Sequence, residues 1–176
     1  MKWRMILVVL AGLSVANLGC THRKEPSPPP APTASISASS FGVVWKDEIT
    51  AADLGCSVNL SPASPEQIAS SPLKLTAGYL PEGFELGGTV ASACDGQVVS
   101  LATVYRNGRR EITIARFRGK VLPRTDESIE TDTVSQKSAL RIGMYQLVLL
   151  EDWGLTSIKA PGLALAEFGK IASNIR

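Results

Sequence analysis

The chain has 176 residues, with 18 Lys and Arg against 16 Asp and Glu, one His and three Cys. That is room for one modest domain, and it excludes a large multidomain enzyme. The formal charge of +2 and the odd cysteine count both depend on whether the N-terminus survives maturation.

Lys2 and Arg4 form a short positive region, and Met5 to Leu18 follows as 14 mostly apolar residues. This pattern fits an export signal and falls short of the roughly 20 residues a membrane-spanning helix needs. The run ends at Asn17-Leu18-Gly19-Cys20. A small residue directly before Cys, after an apolar run, resembles the lipobox of bacterial lipoproteins. The resemblance implies that residues 1–19 are removed and that Cys20 carries the lipid anchor. Asn17 stands where that family usually has Leu. The alternative is an ordinary secretory cut after Ala16, with Ser14 and Ala16 as the small pair. Thr21 is not the Asp that resembles an inner-membrane retention signal, so the resemblance favours the outer membrane in a Gram-negative host. Cleavage before Cys20 removes Lys2 and Arg4 and no acid, leaving 16 charges of each sign. No global charge then steers a partner.

Residues 20–40 read as a tether. Pro26-Ser27-Pro28-Pro29-Pro30-Ala31-Pro32 is followed by a Ser- and Ala-rich stretch, Thr33 to Ser40. Proline withholds the amide donor and favours extended geometry, and small residues bury too little to fold. At about 3.1 Å per residue, such a stalk of about 20 residues reaches up to roughly 60 Å. The only histidine, His22, lies in it. Residues 41–176 therefore have none, which excludes a Ser-His-Asp or Cys-His centre and the usual His-containing zinc sites there.

The expected folded body is a single α+β domain over 41–176. Cys56 and Cys94 are too far apart in sequence for a C-x-x-C redox pair. In an oxidising compartment they read as one structural disulfide, with two free buried thiols as the alternative. Ser64 followed by Pro65 and Gln67 has the chemistry of a helix start, a capping box with Pro at the first helical position, and Pro72 ends that short helix. Pro81 and Gly83 flank Glu82 in a tight turn. Asp95-Gly96 and Asn107-Gly108 then separate three alternating runs, and both dipeptides suit type I′ hairpin turns. In the middle run, alternation puts Val99, Leu101, Thr103 and Tyr105 on one face and Val98, Ser100, Ala102 and Val104 on the other. Arg141 to Leu150 reads as a further strand, turning at Trp153-Gly154 into Leu155–Ala160. Leu165, Phe168, Ile171, Ala172 and Ile175 fall on one face of a C-terminal helix, which has to bury against the sheet. The expected fold is thus an antiparallel meander of about five to six strands packed by that helix and the short one.

Ser64-Pro65-Glu66-Gln67-Ile68-Ala69, Tyr79-Leu80-Pro81-Glu82-Gly83-Phe84-Glu85-Leu86, the Asn-Gly hairpin and the final Lys170-Ile171-Ala172-Ser173-Asn174-Ile175 resemble an extracytoplasmic domain of unknown function. That family occurs in bacterial lipoproteins and beside anti-sigma-factor and sigma-E-regulator-like proteins. The resemblance covers Ser61 to Arg176. It implies a small antiparallel sheet packed by helices and a non-enzymatic role near the envelope, with no catalytic residues to carry over.

Three residue groups are candidate sites. Arg106, Arg109, Arg110, Arg116 and Arg118, with Lys120 and Arg124, face only Glu111 in sequence between 106 and 124. Guanidinium forks suit phosphate or carboxylate, so the hairpin is a candidate surface for anionic headgroups, cell-wall polymers or an acidic partner. A solvated, aggregation-resistant edge is the plainer reading. No stacking motif accompanies the charges, so nucleic acid is not expected. Arg116 and Arg118 share parity with Ile112 and Ile114, so either a bulge intervenes or the strand's end leaves the core. Asp126, Glu127, Glu130 and Asp132 follow in a Ser/Thr-rich stretch read as an exposed loop that neutralises the hairpin. Glycosidase chemistry or weak calcium binding there are lesser alternatives. Phe41, Trp45, Tyr79 and Phe84 either line an apolar cleft between sheet and helix or fill the core. No cofactor and no metal site is expected. The leading functional expectation is a membrane-anchored envelope lipoprotein, a non-enzymatic binding or regulatory (envelope-sensing) module that takes a protein or surface partner. A lipid or lipoprotein carrier is the alternative.

Overall fold

The computed structural model describes residues 41–176. The signal segment, Cys20, His22 and the Pro-rich tether lie outside the described residues.

The chain pairs first as β1 (Val44–Lys46) and turns through a 3-10 segment (Ala52–Leu54). A two-residue strand β2 (Ser61–Pro62) and helix α1 (Pro65–Ser70) follow. α1 begins as its sequence requires. The Ser64 hydroxyl accepts from the Gln67 amide, the Gln67 side chain accepts from the Ser64 amide, and Pro65 opens the helix. Then come β3 (Glu85–Cys94), β4 (Gln97–Asn107), β5 (Arg110–Arg118) and the short β6 (Val121–Pro123). A second meander follows: β7 (Ile129–Val134), β8 (Lys137–Ile142), β9 (Gln146–Glu151) and β10 (Gly154–Lys159). Helix α2 (Leu165–Ser173) closes the chain.

Eight strands make one antiparallel sheet in the order β2-β3-β4-β5-β10-β9-β8-β7, and β1 pairs with β6 in a separate parallel pair. The fold is thus an antiparallel sheet with one short and one C-terminal helix, and it has more strands than the five to six expected. Three additions account for the excess, the first being the two-residue β2 beside β3. The run read as one strand from Arg141 to Leu150 is broken at Gly143-Met144-Tyr145, with Gly143 at φ 55°, into β8 and β9. Glu130 and Asp132, expected in a loop, lie on β7.

Turn chemistry explains what was and was not legible. Asp95 and Gly96 both have positive φ, 50° and 75°, as a type I′ turn demands. The second hairpin differs from expectation. Asn107 pairs with Arg110, so the two central residues are Gly108 and Arg109, and of these only Gly108 has positive φ. That is the pattern of a type II′ turn. Freed from the turn, the Asn107 side-chain amide donates to the Glu82 carbonyl at 3.1 Å and braces the Pro81–Phe84 turn. The β7–β8 turn was missed because Ser135 and Gln136 occupy it, at φ 50° and 67°. A left-handed conformation costs a side-chain-bearing residue about 1–2 kcal/mol. Gln136→Gly removes that cost against a smaller entropic loss and is expected to stabilise by about 0.5–1 kcal/mol. A higher urea midpoint at unchanged slope is the readout.

Alternation gives the sheet two buried faces. On one, α2 sets Phe168, Ile171 and Ala172 against Ile112, Ile114, Leu147, Leu149 and Ile158, with Phe84 and Tyr105 at the margin. On that face α1 and Leu73 cover Ala91, Val98 and Leu101. The opposite face carries Leu140, Val148 and Leu155 under Val43 and Leu122 from β1 and β6. Beside them lies a cluster of Leu54, Cys56, Cys94 and Val99. A register shift between Ser92 and Ala93 makes Val99 the extra residue of a bulge. Val98 therefore packs with Leu101, and Val99 with the cysteines, the reverse of simple alternation. Cys56 and Cys94 form a disulfide. Leu165, expected on the buried stripe of α2, is 51% exposed, and Ile175 lies beyond the helix, bridging to Ala77.

Candidate functional site

The five arginines do not form one patch. The register of β5 against both β4 and β10 is continuous, so no bulge rescues Arg116 and Arg118 from the helix-covered face. They sit on it, half-buried, in line with Ile112 and Ile114. Arg106, Arg109 and Arg110 cluster at the far end of β5, where Arg110 is about 20 Å from Arg116 and about 26 Å from Arg118 at about 3.3 Å per residue. There Arg106 pairs with Glu111 at 3.3 Å, and the Arg110 guanidinium lies 5.4 Å from the Phe84 ring centre. Arg109 is exposed in the turn. Arg124 pairs with Asp47, and the Lys120 carbonyl accepts from the Val44 amide.

A polar seam separates the α1 cluster from the α2 cluster. Strand register aligns Leu101, Arg116, Thr156 and Leu149 in one row across β4, β5, β10 and β9. The adjoining row brings Arg118, Gly154 and Glu151 together. Glu151 accepts from Lys137 Nζ at 3.2 Å and from the fully buried Thr156 hydroxyl at 3.3 Å. The Arg116 guanidinium lies 5.6 Å from the Trp153 ring centre, and its Nε is buried with no hydrogen-bond partner. Burial pulls Arg116 below the ordinary arginine range, and the Glu151 charge opposes that pull. Arg118 Nη1 donates to Gln97 Oε1 at 2.7 Å. Glu151, Trp153, Thr156 and Lys137 were missed from sequence. The available signal was a carboxylate ending an apolar strand beside a Trp, and Trp153 was read only as turn punctuation.

The acidic segment serves a different cation from the one expected. Arg141 on β8 donates to Glu130 at 3.0 Å and to Asp132 at 2.7 Å, so these carboxylates do not neutralise the arginine hairpin. The Glu127 carboxylate lies against Gly143, where an added Cβ would clash with it. No group of three or more metal-ligating side chains comes together among the described residues.

Three carboxylates titrate low because each accepts from neighbouring donors. Asp53 accepts from Lys46 and from the Thr50 amide and hydroxyl, which lowers it to about 2. Arg141 holds Asp132 below the usual range, and Lys170 then Tyr79 do the same for Glu167. A carboxylate lowered by folding gives its full stabilisation above its unfolded value, 3.8 for Asp, and loses it as pH falls through the folded value. The melting temperature is therefore expected to fall between about pH 4 and 2, and Asp53→Asn to shrink that fall. Thermal melts across this range check it, and a flat profile contradicts it.

The four aromatic candidates also divide. Tyr79 and Phe84 join the α2 cluster, with the Tyr79 hydroxyl donating to Glu167. Phe41 and Trp45 pack on the opposite face. They cannot line one cleft, because the sheet lies between them. All four pack with core clusters, and the cleft alternative between sheet and helix is filled by Phe168 and Ile171, which are 2% and 0% exposed.

What fold and site define is an eight-stranded antiparallel sheet with helices on one face, a disulfide on the other and a charged seam at its centre. No family model matches the chain, nor does any curated protein or solved structure.

Proposed function

We propose that the protein is a membrane-anchored extracytoplasmic lipoprotein whose folded part is a non-enzymatic binding or regulatory module. The observation that carries this reading is the sequence Leu18-Gly19-Cys20 at the end of an apolar export signal, followed by a Pro-rich stalk. The Cys56–Cys94 disulfide supports it, since such bonds persist in oxidising compartments. The absence of histidine from residues 41–176 supports a role without the common nucleophilic centres. The side chains filling the space under α2 favour a binding surface over a lipid carrier, which needs a deep apolar cavity.

Fractionation and crosslinking test the proposal together. The parent chain is expected in the membrane fraction, and Cys20→Ser is expected to leave it. Retention of the variant at the parental level contradicts the anchor. Crosslinking in envelope fractions is expected to recover a specific protein partner. Co-purifying lipid with no partner would favour the carrier.

A further inference from the structure

The cleft between the end of α1 and the β3–β4 turn has a volume of about 340 Å³ and is lined by Gln67, Ser70, Ser71, Gly96, Gln97 and Arg118, with Pro72 and Val98. Its one charge is positive. Among the described residues, neither Arg118 nor Arg116, two residues earlier on the same strand face, has a carboxylate within ion-pair distance. Arg141, on the same face, has two. The nearby acids are otherwise placed. Asp95 accepts from the Ser57 amide and hydroxyl, Glu66 from Ser64, and Glu151 from Lys137 and Thr156. Asp152 is exposed in the β9–β10 turn.

A half-buried guanidinium without a counter-charge is costly, and its planar fork matches phosphate and carboxylate oxygens in pairs. Gln97 orients the Arg118 fork through a neutral oxygen and leaves its charge uncompensated. The buried Ser71 oxygen accepts from the Leu73 amide, which leaves the hydroxyl proton free to donate. We propose that this cleft is an oxyanion site, in which Arg118, assisted by Ser71, binds the phosphate or carboxylate group of a small ligand. The assignment deepens the binding-module reading by naming a ligand chemistry. It stands on the cleft's geometry and not on Cys20, so failure of the anchor leaves it intact.

Thermal shift of the full chain in detergent tests it, at fixed pH and ionic strength, with chloride exchanged for 10 mM inorganic phosphate or 10 mM succinate. For a dissociation constant of about 1 mM, the melting temperature is expected to rise by about 3–5 °C with at least one of the two. A rise with phosphate alone assigns a phosphate ligand, and a rise with succinate alone a carboxylate. Arg118→Met is expected to abolish the rise, Arg118→Lys to cut it by half or more, and Arg109→Gln to leave it unchanged. No rise with either probe, or an equal rise in Arg118→Met, overturns the site. Should Arg118→Met fail to fold, the Arg118 Nε–H resonance of the wild-type chain decides. Its displacement by either probe supports the site, and no displacement overturns it.

Discussion

Phe168→Ala is expected to lower the unfolding free energy by about 3–5 kcal/mol, the range for emptying a large aromatic from a close-packed core. Phe168 is 2% exposed and sits in the middle of α2, over the row of isoleucines and leucines from β5, β9 and β10. The helix has nine residues and no side chain capping its start at Ala164. A helix that short does not hold itself in water, so its place depends on this apolar contact. Relaxation cannot close the void cheaply, because Ile114, Leu149 and Ile158 are fixed by the strand register beneath it. Leu165, at 51% exposure on the same helix, is the control. Leu165→Ala is expected to change stability by about 0.5 kcal/mol or less. Urea unfolding of the two variants separates them. Equal effects would mean that α2 does not fill the face.

Removing the disulfide is the second large perturbation. Cys56 and Cys94 are 38 residues apart. Closing a loop of that length restricts the unfolded chain and contributes about 3–4 kcal/mol in the chain-entropy account. The double variant Cys56→Ser, Cys94→Ser is expected to melt about 10–15 °C lower. The bond also joins the segment after the 3-10 turn to the end of β3, in a cluster with Leu54 and Val99. Other links at this corner are the hydrogen bonds from Ser57 to Asp95, which are solvent-exposed, and the two-residue pairing of β2 with the end of β3. They replace little of the loss. An unchanged melting temperature on reduction would contradict a structural bridge.

Features set by local chemistry were legible in the sequence. Ser64, Pro65 and Gln67 start a helix within one turn, Asp95-Gly96 folds a hairpin by itself, and the spacing of Phe168, Ile171 and Ala172 gives the buried stripe of α2. Features set by pairing at a distance were not. Ser135-Gln136 adopts left-handed angles only because β7 and β8 impose them, so residue type carried no turn signal. The bulge at Val99 is invisible to alternation, because it arises from the mismatch between β3 and β4. The arginines illustrate the same limit for the site. Closeness in sequence suggested one patch, but a nine-residue extended strand separates its ends. The seam that gathers Arg116, Thr156 and Glu151 comes from three strands, and no segment of the sequence contains it. On the proposed cleavage before Cys20, charges of both signs balance, so that local arrangement and not net charge would be the basis of the proposed recognition.

On the proposed reading, the mature chain begins at a lipidated Cys20 and carries this domain on a stalk. Intact mass of the protein extracted from membranes tests it most directly. The expected result is a species beginning at Cys20 with the added mass of a diacylglyceryl group. A chain beginning at Asn17 with an unmodified Cys20, or one retaining Met1, would contradict it.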